Sequence, residues 1–478
     1  MVRRVTRPGR RAVAFIAAAA AVGGGVAAGT AGATSPDGGD GWAVDTSDCP
    51  DEDAVNAPIE GEIIVGSAMP LSGGAAAAAF EPAARGFQAY IAYANENGLL
   101  PGVTITAIIG DDQYNPGNTP GVVDSLLDDG ASVIAGLIGT GGAEAVRDTL
   151  NEECVPMLNL LTGDPRWGNE VSDYPWTTGL LTPYDREFRG YAESIADNFP
   201  EATVATFMVN NAFGAASSDA FEEAADEAGL EIVADESIEQ TDEAAPTAQL
   251  QSIADAEPDV IVATPLGAQC ISFLTELASV KATVDGWEPA VYLTNTCASD
   301  LILALAGEAA DGIYTSASMG LRDVSNPEVA AAEPVAGYIA EMEAQGLGDI
   351  ITTGGAGWNA AEVTVQVLID AANSPDGLTR ASIINAARNL NFHPTLLREG
   401  MNYVMNGEED TQYNEDIQIV QYSFADHHFV DVGEPYSYES SPDAGEPTVA
   451  APIGGGSGAA PAGSDANDDS AEAPATTG

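Results

Sequence analysis

The sequence predicts an α/β chain of two doubly wound, parallel-sheet lobes, and three observations carry that reading. Strand-like runs of β-branched and aliphatic residues alternate with helical patterns along most of the chain, as in a parallel sheet flanked by helices. The alternation comes in two series that meet at a connection over Thr178–Pro183. Roughly 400 residues separate a leader from a tail, more than a single core usually carries.

Taken in order, Arg3, Arg4, Arg7, Arg10 and Arg11 precede an Ala/Gly/Val-rich stretch ending near Ala31-Gly32-Ala33, the pattern of an export signal over residues 1–33. Arg10-Arg11 ahead of Phe15 would also suit a twin-arginine route. No cysteine lies near the expected cleavage after Ala33, so no lipid anchor is expected. Residues 34–58 read as a surface arm. Ile63–Met69 is a strand, and Ala83, Phe87, Tyr90, Ile91 and Ala94 share one helical face before Gly98. Thr104–Gly110, Val122–Leu127, Val133–Leu137, Ala143–Asn151 and Pro156–Leu160 continue the alternation. The second series has strands at Thr203–Val209, Glu231–Ser237, Asp259–Thr264, Ala290–Asn295 and Gly312–Thr315. Helices at Asp185–Asn198, Ala215–Ala228, Thr247–Ala256 and Ala268–Val280 come before or between them. Long helical patterns follow at Glu328–Gln345, Trp358–Ala372 and Thr379–Ala387, then a hairpin of Ile417–Ser423 and His428–Val432. From Glu439 the chain is aperiodic and rich in Gly, Pro, Ser, Ala and acids, the composition of a disordered tail over 439–478.

The formal net charge is −58, near −63 without the leader's arginines, and Lys281 is the only lysine. Such a surface repels nucleic acid and anionic membranes. Cys49, Cys154, Cys270 and Cys297 form an even set in an exported chain, which points to two disulfides with three pairings open. Cys270 and Cys297 each follow a strand, at carboxyl ends expected to be neighbours, so Cys270–Cys297 is the preferred pair. Cys49–Cys154 would then fix the arm to the first lobe. No CxxC pair or His cluster accompanies them, and no metal or cofactor is expected.

The three histidines all follow residue 390, and the chain has no G-x-S-x-G elbow, Walker loop or H-E-x-x-H helix, so no catalytic residues are assigned. What recurs is a polar or glycine-bearing loop after each strand, where open α/β sheets bind ligands. These loops contain Ser72, Thr140-Gly141, Thr162-Gly163, Phe213, Leu266 and Asn295. Gly139–Gly142 opens a helix, whose free N–H groups suit an anionic or polar group. Glu144 stands where a dinucleotide fingerprint needs its third glycine, which argues against a nucleotide; an ordinary tight turn is the other reading.

The run from Gly61 to Asp164 contains Val65-Gly66-Ser67-Ala68-Met69-Pro70-Leu71-Ser72-Gly73, Arg85-Gly86, Asn95–Gly98, the Asp111-Asp112 turn and Gly136–Ala143. On these residues it resembles the type I periplasmic binding proteins of branched-chain amino acid ABC transporters. The resemblance covers residues 60 to 436 and rests, after Asp323, on Trp358-Asn359-Ala360-Ala361 and the closing hairpin. It implies two lobes, 59–181 with 319–399 and 182–318 with 400–438, joined by three hinge crossovers near Leu181, Met319 and Glu399. It also implies a monomer that captures a small ligand and passes it to a membrane ABC permease, with no bond made or broken. A sensory module of the same fold and a secreted hydrolase are the rival readings. By the same resemblance Thr140, Gly141, Thr162 and Gly163 would hold a carboxylate, Phe80 and Phe213 would flank the ligand, and Ser72, Leu266 and Trp358 join the candidate site. Asn295 falls where the family carries an acid for an α-ammonium, and an amide lacks that charge. An amide, a carboxylate or another small polar metabolite is therefore as well suited as an amino acid, with Asp300 or Asp185 as stand-in acids.

Overall fold

Ile63, Val65, Ala68 and Met69 are buried along Gly61–Met69 (β1), the strand on which the first sheet is built. It pairs in parallel with Val103–Asp111 (β2) and Val133–Ala135 (β3), and β3 continues through Met157–Leu160 (β4) to Thr177–Gly179 (β5), giving the order β2-β1-β3-β4-β5. The computed structural model describes residues 41–242, 244–441 and 444–453; the predicted leader and the last 25 residues, 454–478, lie outside them. Helices Gly74–Glu96 and Gly355–Asn373 cover one face of this sheet and Thr119–Asp128 and Thr140–Glu152 the other.

The second sheet begins with Thr203–Asn210 (β6), Glu231–Glu239 (β7), Val260–Thr264 (β8), Ala290–Leu293 (β9) and Tyr314–Ser316 (β10). Later come the short strands Asn391–His393 (β11), Tyr403–Val404 (β12) and Asp416–Ile417 (β13), then the hairpin of Ile419–Ser423 (β14) and His428–Asp431 (β15). Tyr436–Ser437 (β16) and Thr448–Val449 (β17) end the series. The order β15-β14-β10-β9-β8-β6-β7 is parallel except for the closing hairpin, which joins antiparallel beside β10. The chain is thus a mixed α/β protein of two parallel-sheet lobes, each with its own buried core.

The chain passes from the first core to the second between Leu180 and Tyr184 and returns between Ala317 and Met319. Two details differ from the sequence expectation. The third passage lies at residues 414–416, well after Glu399, because Met401, Tyr403, Met405 and Tyr413 insert into the first core and β12 pairs with β11. Part of the stretch expected to be a disordered tail is folded: β17 pairs in parallel with β11, and Ile453 is buried in the first core, so the chain makes a fourth passage. These residues lack an amphipathic period because a two-residue strand needs none. The pattern over Glu328–Gln345 also divides into Pro327–Ala330 and Val335–Ala344, since Pro334 disfavours helix in the residue before it.

The cysteines pair as Cys49–Cys154 and Cys270–Cys297, the pairing preferred from the sequence, and disulfides fit an oxidising compartment. The arm is held further by Trp42, whose N–H donates to Asn389 Oδ1 at 3.0 Å and whose ring lies 5.2 Å from the buried Arg388 guanidinium. Among the described residues, no helix is long and apolar enough to cross a membrane.

Candidate functional site

A cavity of about 220 Å³ opens between the two lobes at the carboxyl ends of their strands. On the first lobe, Phe80 stacks on Tyr114 with ring centroids 5.6 Å apart, and both rings line the cavity. Tyr114 sits in the left-handed region with φ 56°, held there by Asp112, whose Oδ1 accepts its N–H at 2.9 Å. Gly139, at φ 108°, lets that ring lie over the loop: a Cβ there would be 2.8 Å from Tyr114 Cε2. Behind this wall runs a line of hydroxyls. Thr140 Oγ1 and Thr162 Oγ1 are 2.6 Å apart, and Thr162 Oγ1 is 3.4 Å from the Tyr184 hydroxyl of the second lobe. Burial pushes the Tyr184 phenol up to about 12, so it stays protonated as a donor at neutral pH.

The opposite wall starts where helix Ala212–Ala228 leaves β6. Asn211 caps this helix by accepting the Gly214 N–H at 2.9 Å, and a Cβ at Gly214 would fall 1.7 Å from Val209 O, so only glycine allows this close start. Phe213 is thereby set against Tyr184, ring centroids 5.3 Å apart, and both face the cavity. Asn295 follows β9 in the short turn Asn295–Cys297, anchored by the disulfide from Cys297 to Cys270.

Among the described residues, four buried side-chain atoms on this cavity have no hydrogen-bond partner: the amide nitrogen of Asn295, Thr296 Oγ1 and Ser299 Oγ from the second lobe, and Thr353 Oγ1 from the first. Buried polar atoms are nearly always paired, so a cluster of unpaired ones around one cavity marks groups free to meet a ligand. The rest of the lining is largely apolar, with Ile138, Leu161, Met319 and Val420 among it.

The sequence-derived candidates separate into three groups. Phe80, Thr162, Phe213 and Asn295 line the main cavity. Thr140 and Gly141 line a narrow side crevice with Asn211 and Gln240, where Gly141 lies against Pro116. Ser72, Gly163, Leu266 and Trp358 line neither. The Ser72 N–H and hydroxyl both bind Asp111, which staples the loop after β1. Gly163 accepts the Tyr184 N–H at 2.6 Å, and a Cβ on it would be 2.2 Å from Thr182 O, so it seats the first passage. Leu266 belongs to the second core, and Trp358 is fully buried among Tyr90, Tyr93 and Tyr338. These last two are apolar side chains that core packing claims first.

Of the two stand-in acids, Asp300 lines the cavity and Asp185 does not; the latter pairs with Arg186 at 2.8 Å. Burial, with Asp323 repulsion second, raises the Asp300 carboxyl. Sequence reading missed Tyr114, Tyr184, Ser299 and Thr353, and it missed Glu187. Glu187 is fully buried beside the site; its Oε1 accepts from the Asn295 N–H at 2.9 Å, Ser316 Oγ at 2.8 Å and Tyr191 OH at 2.9 Å. Burial raises its carboxyl, and its contacts make it the post on which Asn295 and Ser316 are positioned. The available signal was a polar set, Glu187, Tyr191 and Ser194, on the same helical face as Phe188 and Ile195.

A protein-family model described as "Periplasmic binding protein" matches residues 62–427. A curated relative, the Leu/Ile/Val-binding protein homolog 2 of Brucella abortus, is 28% identical over 154 residues, which span 32% of this chain and 40% of the relative's length. The fold is similar to a branched chain amino acid ABC transporter protein from Thermus thermophilus with bound valine, with a TM-score of 0.69 and 20% identity over 79% of this chain and 97% of that one. It is similar also to a fatty acid ABC transporter substrate-binding protein from Thermomonospora curvata, at TM-score 0.65 and 18% identity over 81% and 96% of the two chains. The family match over most of the chain, together with the two-lobed fold and its cleft, shows that this protein belongs to the periplasmic binding protein family, with the type I fold.

Proposed function

We propose that the protein captures a small ligand with one polar head and an apolar body between its lobes and delivers it to a membrane ABC importer. The observation that carries this reading is the set of unpaired polar atoms of Asn295, Thr296, Ser299 and Thr353 around a largely apolar cavity. The amide nitrogen of Asn295 and the hydroxyls supply donors, so the head is an acceptor such as a carboxylate or amide carbonyl. The aromatic pairs Phe80–Tyr114 and Phe213–Tyr184 supply flat apolar surface for the body. Lobe closure around such a ligand is a hinge motion at the passages.

A thermal-shift screen of short and medium carboxylates, amides and amino acids tests this. A ligand at about 100 times its dissociation constant adds roughly 2.7 kcal/mol. Aliphatic carboxylates or amides should stabilise the protein, and Asn295→Ala together with Thr353→Val should remove most of that shift. Leucine, isoleucine and valine should give little, because their ammonium finds an amide at Asn295. A large shift with any of them that Asp300→Asn abolishes would replace this reading with an amino acid site whose acid is Asp300.

A further inference from the structure

Away from the cleft, three carboxylates converge where the third and fourth passages run side by side. Asp410 closes the turn that begins at Asn406, Glu415 lies on the third passage just before β13, and Glu439 follows β16 on the fourth. Because β13 pairs antiparallel with β16, the two passages are held in register. Tyr438 N–H donates to Glu415 O at 3.2 Å and Ser440 N–H to Glu415 Oε2 at 2.8 Å. One oxygen from each of Asp410, Glu415 and Glu439 lies within 4.8 Å of the others.

An acidic cluster alone would signify little, but Asp410 adds a second observation. It is 1% exposed, and among the described residues neither of its buried carboxylate oxygens has a hydrogen-bond partner; the Ser441 side chain and the Gln412 N–H lie close enough only to offset part of the cost of its burial. A bare buried carboxylate is strongly unfavourable, and two further carboxylates facing it increase the cost. The cation beside the cluster, Arg186, is committed to Glu415 Oε1 at 3.1 Å and to Asp185 at 2.8 Å. The group therefore has an excess of negative charge directed at one point.

We propose that Asp410, Glu415 and Glu439 bind one hard divalent cation of the calcium class, which clips the fourth passage to the turn that Asp410 closes. The donor set is oxygen only, with neither imidazole nor thiolate, which selects Ca²⁺ or Mg²⁺ over zinc or copper. Calcium suits the site better, because it accepts irregular sets of six to eight oxygens completed by carbonyls and waters, whereas Mg²⁺ demands a near-ideal octahedron. Bound here, the ion would hold Glu439 and the strand β17 beyond it against the first lobe. In its absence the carboxylates must share protons, and burial already raises Asp410 and brings Glu439 up to about 7.

The test uses the full mature chain, stripped with chelator and returned to neutral buffer of high ionic strength to suppress loose binding to its acidic surface. Calcium chloride alone should raise the melting temperature saturably, and calorimetry should give one site per chain with a dissociation constant between micromolar and millimolar. Asp410→Asn, and separately Glu439→Gln, should remain folded and lose that rise. No rise in the wild type with Ca²⁺ or Mg²⁺, or an equal rise in Asp410→Asn, would overturn the proposal. So would a wild type indifferent to both ions but stabilised by mild acid in a way that Glu439→Gln abolishes, since that identifies a proton-sharing carboxyl pair. Neither outcome bears on solute capture, which is read from the ligand screen.

Discussion

Glu362 shows how one residue couples burial to pH. It is buried inside helix Gly355–Asn373, accepting from Thr395 N–H at 3.0 Å and Thr395 Oγ1 at 2.6 Å, and burial raises its carboxyl from 4.5 to about 7. A carboxyl whose pKa is higher in the folded state binds more protons there, so stability falls as pH rises from about 4.5 to about 7. At 1.36 kcal/mol per unit the loss is on the order of 3 kcal/mol. Glu362→Gln should flatten that part of the stability profile, measured as urea midpoints across the window, and should leave the variant the more stable form above pH 7. Asn295 and Glu187 illustrate the same scale within the site. The amide at Asn295 was legible in the sequence as a departure, but the buried acid that positions it was not, because a glutamate four residues into an acidic helix reads as solvated until its neighbours are known.

At the scale of elements, helices Gly74–Glu96 and Gly355–Asn373 come from distant parts of the chain and cross with their backbones nearly touching. A Cβ on Gly357 would lie 1.7 Å from Ala83 O, and one on Gly86 would lie 2.0 Å from Gly354 O. Neither carbonyl can move without parting the helices. Gly357→Ala should therefore cost about 2–3 kcal/mol or more in a urea titration. Gly121 is the contrast: it lies inside helix Thr119–Asp128 with nothing within 4 Å of an added Cβ, and Gly121→Ala should gain up to about 1 kcal/mol from helix propensity. The alternation of strands and helices was readable because each element carries its own period, 2 or 3.6. The helix pair was not, since two glycines, Gly86 and Gly354, meeting across 268 positions leave no local pattern.

On the whole molecule the two disulfides play different parts. Cys49–Cys154 closes 105 residues and holds the arm; Cys270–Cys297 closes 27 and anchors the turn that presents Asn295 and Thr296. Loop-closure entropy puts their worth at about 4–5 and about 3–4 kcal/mol respectively. Replacing Cys49 and Cys154 by alanine should lower the melting temperature and leave ligand affinity intact. The same change at Cys270 and Cys297 should cost stability and weaken ligand binding as well, because the cleft wall loses its anchor; calorimetry with the best ligand of the screen distinguishes the two.

The sequence by itself determined the fold class, the two series of elements and the resemblance to the family that the match shows, because these depend on periodicity and on order along the chain; it left three cysteine pairings open, and the structure has the preferred one. Only the tertiary structure decided which loop residues face the cavity. It separated Phe80, Thr162, Phe213 and Asn295, which line it, from Trp358 and Leu266, which the cores absorb. It also moved the third passage to residues 414–416 and drew β17 into a sheet with β11. The reason is physical: a cavity is what remains when two cores have packed, so its lining follows from long-range contacts that no local pattern of residues encodes.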